Sequence, residues 1–161
     1  MGFLGSHSAV SLLGQGHRLF LLARPKKQVS AKKRIEQLLD WFGVSSSRRE
    51  NIRIIEGRVD VPGLGVDSRT RSSLLQDIDE IVHCASDTSF AERKRASVEA
   101  ANVAGLENVL ELAVRSACFS FHLVSTAYVA GKVTGPCPEA LASPREFTNV
   151  YEETKCRGEW A

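Results

Sequence analysis

Hydrophobic positions along this chain change spacing every few turns, and each change predicts a new element. In Ser6–Gln15 (SHSAVSLLGQ) the apolar residues Val10, Leu12 and Leu13 stop at Gly14 and Gly16, which predicts a short helix with a glycine cap. His17–Arg24 (HRLFLLAR) is an apolar run with a basic end, the pattern of a buried strand in a parallel sheet. Ile35, Leu38, Leu39 and Phe42 repeat at three- and four-residue spacing, so Lys26–Val44 reads as a helix, followed by a polar loop, SSSRRE. Ile52–Gly57 (IRIIEG) is a second apolar strand, VPGLG marks a loop, and Ser68–Asp77 is a short helix. Glu80–Cys84 (EIVHC) is a third strand. Ala91–Ser116 is a long helix carrying Val98, Val103, Leu106, Val109, Leu110 and Leu112, and Cys118–Ser125 (CFSFHLVS) is a fourth strand. A Pro-rich loop, GPCPEALASPREF, leads to a last helix over Asn149–Ala161. Strict alternation of helices and strands predicts an α/β fold, a doubly wound parallel sheet in three α-β-α layers with right-handed crossovers.

Composition narrows the class. A chain of 161 residues is one domain, 1–161, and is long enough to bury a core. With 43% hydrophobic and 25% charged residues it is an ordinary globular sequence, which excludes disorder. The formal charge of +2 names no partner, but it is unevenly spread: His17–Arg58 holds 11 Lys/Arg against 4 Asp/Glu. That excess fits a solvated helix face or a phosphate-bearing cofactor, and no nucleic-acid partner is expected. Cys84, Cys118, Cys137 and Cys156 form no C-x-x-C pair and no zinc spacing, so they read as reduced thiols of a cytoplasmic protein, with no metal site. No apolar run reaches the roughly 18 residues of a membrane span, and no signal-peptide pattern opens the chain.

Four signals fall at the carboxyl ends of the strands, where open α/β sheets hold their ligands. Gly2 and Gly5 form G-x-x-G at the opening of the first helix, suited to close approach by a phosphate. The same stretch also reads as a plain turn, or, with Ser6, as the M-G-x-x-x-[ST] pattern for a myristoyl anchor. After the first strand, where an NAD site carries an acid about 20 residues past its glycines, this chain has Arg24 followed by Lys26 and Lys27. A guanidinium there suits a 2′-phosphate, which favours NADP (as NADPH) over NAD. Ser125 and Thr126 follow the last strand as candidate catalytic hydroxyls or as simple strand-end caps. Tyr151 and Lys155 are spaced i, i+4, which stacks phenol and ammonium on one helix face, as an active pair or an exposed one.

Taken in order, these segments resemble the extended short-chain dehydrogenase/reductase superfamily, and within it the thioester-reductase and fatty-acyl-reductase branch. GFLGSH resembles the end of the T-G-x-x-G-F-L-G loop, which implies cofactor contacts by Gly2, Phe3, Leu4 and Gly5. LLAR resembles the second strand with its NADP-type Arg. GRVDVPGLGV resembles G-D-x-x-x-P-x-L-G-L, implying that Asp60 and Val61 lie by the adenine. HCASDTSF resembles H-x-A-A, implying Ala85 and Ser86 beside the ribose, and ANVAGLENVLELA resembles the N-V-x-G-T helix with Asn102 in the Asn position. STAYVAG and YEETKCRGE resemble the active-site pair. The resemblance implies a Rossmann-type fold and an NADPH-dependent reduction of an acyl thioester, bound to CoA or to a carrier protein. Tyr151 would give the proton, Lys155 would lower its pKa and bind the nicotinamide ribose, and Thr126, with Ser125 as the alternative, would bond the oxyanion. A nucleotide-sugar epimerase or dehydratase of the same superfamily, or a non-catalytic dinucleotide-binding remnant, is the alternative. The pattern departs from the family at its start, where the usual first strand and first glycine do not precede Gly2, and at its end, where the substrate-binding region does not follow. A fragment with weak NADPH binding and little turnover of its own is the expectation.

Overall fold

The computed structural model describes residues 2–141, 143 and 146–161; Met1 and, within the Pro-rich loop, Ala142, Pro144 and Arg145 lie outside the described residues. Helix α1, Phe3–Gly14, begins three residues before the expected start at Ser6, because Gly2 takes the extended N-cap position. Strand β1, Leu19–Ala23, follows. The next helix, α2, spans only Ala31–Trp41 rather than all of Lys26–Val44. Lys26 and Val29 instead close a two-residue turn with paired main-chain bonds of 3.0 Å, and Lys27 and Gln28 take φ of 47° and 64°. Ser30 then caps α2 by accepting the Lys33 amide at 3.2 Å, and Gly43, at φ 63°, ends it. The serine-rich loop contains one helical turn, α3, Ser46–Arg49. Strand β2, Ile52–Glu56, leads through a turn at Pro62–Gly65 to α4, Ser68–Asp77, capped by Asp67 on the Thr70 amide at 2.8 Å.

Strand β3 is Glu80–His83. The long helix predicted over Ala91–Ser116 is not uniform. It opens with a tight turn at Glu92–Lys94, runs as α5, Arg95–Glu99, widens into a π turn at Ala100–Ala104 and resumes as α6, Gly105–Arg115. Strand β4, Ser120–Leu123, ends in a short 3₁₀ turn at Ala127–Ala130, and α7 is Val150–Glu159. Asn149 caps α7 on the Glu152 amide at 3.1 Å. Glu152 reaches back to the Thr148 amide at 2.8 Å, so the start of the helix is held from both directions.

The strands form two parallel pairs, β1 with β2 (Leu19 opposite Ile52) and β3 with β4 (Glu80 opposite Ser120). Strand alternation divides the core between two layers. Leu19, Leu21 and Ala23 face Leu13 of α1 and Ile35 and Leu39 of α2. Phe20 and Leu22 face the other way, into a core with Ile55, Leu74 of α4, Val109 and Leu112 of α6, Ile81 of β3 and Phe121 of β4. Helices therefore cover both faces of β1, as a doubly wound fold requires. Each fully buried Leu or Ile contributes about 1.5–3 kcal/mol. The bend after β2 is tight enough to exclude any side chain at Gly57: a Cβ there would lie 2.6 Å from the Leu64 carbonyl and 2.8 Å from Leu22 Cδ1.

Candidate functional site

The predicted site residues sit where the strands end. Gly2 caps α1 without any side-chain bond to its amides, and the first turn holds no acid, so the positive end of the helix stands open. Phe3 and Leu4 point outward, 81% and 49% exposed. Gly5 packs against the end of β3, where a Cβ would meet Cys84 Cβ at 3.3 Å. Ala85 and Ser86 follow in the exposed loop beyond Cys84.

Asn102 is buried in the π turn and ties this loop to α7. Its Oδ1 accepts from Ser86 Oγ at 3.0 Å and from the Asp87 amide at 2.7 Å, and its Nδ2 donates to the Asp87 carbonyl and to Thr154 Oγ1, both at 3.0 Å. Thr154, fully buried, donates back to the Val150 carbonyl at 2.8 Å. It lies between Tyr151 and Lys155, so the π turn fixes the helix that carries both.

Lys155 is only 6% exposed, and its Nζ donates to the Val124 carbonyl at 2.6 Å. Burial pushes its pKa down, while Glu159 and Cys84 act in the opposite sense. His83, also buried, is driven down to about 4 by burial and by the Lys155 charge, so it is neutral near pH 7. Burial raises the Cys84 thiol. Ser125 Oγ donates to Glu159 Oε1 in a short hydrogen bond, whereas Thr126 Oγ1 accepts the Tyr128 amide at 3.3 Å. The Tyr151 ring lies 5.6 Å from that of Phe90, which is 54% exposed.

A second group gathers at the ends of β1 and β2. Asp60 is paired with Arg58 at 3.0 and 2.6 Å, and that hydrogen-bonded guanidinium holds its carboxyl below the usual range, with a smaller contribution from Arg24. Arg24 is exposed and forms no ion pair among the described residues; its carbonyl accepts from Arg34. Val61 borders Asp60 at the head of the Pro62–Gly65 turn. Lys26 is exposed, and its main-chain N–H and C=O are both paired with Val29 in the turn. Sequence reading passed over Thr154 and Glu159. Glu159 stands four residues after Lys155, the same spacing that singled out Tyr151 with Lys155.

The fold and the strand-end groups together define an NAD(P)-binding domain of Rossmann type. A family profile described as male sterility protein, an NAD-binding family, matches residues 1–160, and the chain belongs to this family, in the thioester-reductase branch of the short-chain dehydrogenase/reductases. It is 32% identical over 149 residues to a probable fatty acyl-CoA reductase 5 of Arabidopsis thaliana, covering 82% of this chain and 29% of that one, so it spans less than a third of that relative. The terminal R domain from the myxalamid PKS-NRPS pathway superposes with a TM-score of 0.84 at 28% identity, covering 98% of this chain and 41% of that one. A UDP-glucuronic acid 4-epimerase of Bacillus cereus, with a TM-score of 0.73 at 22% identity over 99% of this chain and 48% of its own, shares the fold. No helix among the described residues is long and apolar enough to cross a membrane.

Proposed function

We propose that the protein reduces an acyl thioester, carried on CoA or a carrier protein, with NADPH, giving an aldehyde or alcohol. The observation that carries this reading is the buried Lys155, bonded to the strand end beside Ser125 and Thr126 and one helical turn from Tyr151. Likeness to the fatty acyl-CoA reductase and to the R domain supports a thioester over a sugar nucleotide as substrate.

The chain's groups fit the cofactor. The uncapped start of α1 suits a pyrophosphate, and the exposed Arg24, with Lys26 two residues on, suits a 2′-phosphate. Asp60 and Val61 would border the adenine, and Ala85, Ser86 and Asn102 the ribose side. When bound, NADPH would supply the hydride to the thioester carbonyl carbon; the hemithioacetal so formed loses the CoA or carrier thiol to leave the aldehyde, and reaching the alcohol takes a second NADPH. Tyr151 gives its phenolic proton to the carbonyl oxygen. The buried Lys155 ammonium, one turn away, offsets the negative charge left on Tyr151 once that proton is given. Thr126 is the better hydroxyl for the growing oxyanion, because its oxygen accepts the Tyr128 amide and its own O–H meets no acceptor among the described residues, whereas the Ser125 O–H is already donated in a hydrogen bond to Glu159.

Thermal denaturation at equal, saturating concentrations tests the cofactor reading: NADPH raises the melting temperature more than NADH, and Arg24→Ala removes the difference. Equal stabilisation by both would sink the role of Arg24. In a full-length version, acyl-CoA reduction, followed by loss of NADPH absorbance, falls at least about a hundredfold in Tyr151→Phe while NADPH binding stays; undiminished reduction would remove Tyr151 as donor.

A further inference from the structure

Helix α7 grips the end of β4 at two consecutive residues. Lys155 Nζ donates to the Val124 carbonyl at 2.6 Å, and one turn further on Glu159 accepts from Ser125 Oγ. The i, i+4 spacing places ammonium and carboxylate on one helix face, against the same stretch of chain. From β3, the groups facing Lys155 are His83, neutral near pH 7, and the Cys84 thiol. Glu159 is therefore the carboxylate that acts on this buried ammonium among the described residues. The hydroxyls of Ser125 and Thr126 are adjacent in sequence yet differently committed, one proton held by Glu159 and the other left to donate.

We propose that Glu159 is a positioning residue of the active site: one turn beyond Lys155 on the same helix face, its carboxylate supports the Lys155 charge and anchors Ser125, and by holding Ser125 it leaves Thr126 as the hydroxyl that meets substrate. This rests on the reading of Lys155 and Tyr151 given above. It assigns the last turn of α7 a task in the chemistry, since one carboxylate opposes the effect of burial on the ammonium and selects between two neighbouring hydroxyls.

The test is a titration of the Lys155 side chain by carbon-13 NMR of its Cε, assigned with Lys155→Arg. A Cys84→Ser background removes the thiolate from the alkaline range. Glu159→Gln keeps an oxygen for Ser125 but removes the charge, so the Lys155 midpoint falls, by up to about one pH unit for the loss of a neighbouring opposite charge. Ser125→Ala removes the hydrogen bond and keeps the charge, and its midpoint falls by less. An unchanged midpoint in folded Glu159→Gln overturns the proposal. Should that variant not fold, Glu159→Asp, whose shorter arm draws the charge back, must show an intermediate fall; a wild-type midpoint there overturns it equally. A lowered midpoint beside absent NADPH-dependent acyl-CoA reduction in a full-length version would refute the proposed function and leave the influence of Glu159 on Lys155 standing.

Discussion

Removing the Asn102 side chain should loosen the whole junction between the loop after β3 and helix α7. Asn102→Ala deletes four hydrogen bonds, to Ser86, to both main-chain groups of Asp87 and to Thr154. At about 0.5–1.5 kcal/mol each they would sum to about 2–6 kcal/mol. Two considerations lower the upper bound. Ser86 is exposed and recovers water, and Thr154 keeps its bond to the Val150 carbonyl. The Asp87 amide and carbonyl, half-buried, recover water only in part, and the bond to Thr154 is fully buried. A loss of about 2–4 kcal/mol follows, which for a domain of this size is about 5–15 °C in melting temperature. Urea denaturation measures the free energy, and hydrogen exchange at the Asp87 amide measures the local part. Asn102→Asp retains the two acceptor contacts, loses both donor contacts and adds a buried charge, so it should be no more stable than the alanine variant near pH 7. A loss below about 1 kcal/mol in Asn102→Ala, with Asp87 exchange unchanged, would show that packing alone holds the junction and would refute the argument.

Two further outcomes are expected. His83 has a folded pKa of about 4 against 6.5 in the open chain, so the unfolded state binds the extra proton between those values. Stability therefore falls as pH drops from about 6.5 toward 4, by about 3 kcal/mol; urea midpoints against pH should show this slope, and His83→Gln should flatten it. Gly57→Ala forces a Cβ against the Leu64 carbonyl at 2.6 Å, where backbone must move, and should cost about 1–3 kcal/mol by the same assay; a neutral result would mean that the Pro62–Gly65 turn yields freely.

Much of this architecture is legible in the chain, for reasons that differ by segment. Leu19, Phe20, Leu21 and Leu22 announce β1 because a strand covered on both faces has no polar position to interrupt it. The boundary of α2 was hidden because Lys27 and Gln28 adopt positive φ without being glycine or asparagine, so no residue advertised the turn. The π turn left the apolar period nearly intact, since Val98, Leu106 and Val109 stay buried on either side of it, and only the hydrogen bonds of Asn102 reveal its purpose. Tyr151 and Lys155 were readable because helical geometry makes i, i+4 neighbours. Glu159 obeys the same rule, but its partner Ser125 lies 34 positions away on another element, a proximity that only the folded chain supplies.

The pairing of strands in twos has a consequence for how the molecule yields under stress. Main-chain bonds join β1 to β2 and β3 to β4, and the two pairs meet through side chains: Phe20, Leu22 and Ile55 against Ile81 and Phe121, with α4 and α6 beneath. Hydrogen-bonded ladders break cooperatively, whereas a seam of side chains can open by degrees. The domain thus consists of two units of cooperative opening sharing one apolar seam. Gly5 rests on Cys84, the residue that follows β3, so the start of α1 lies against the second of these units.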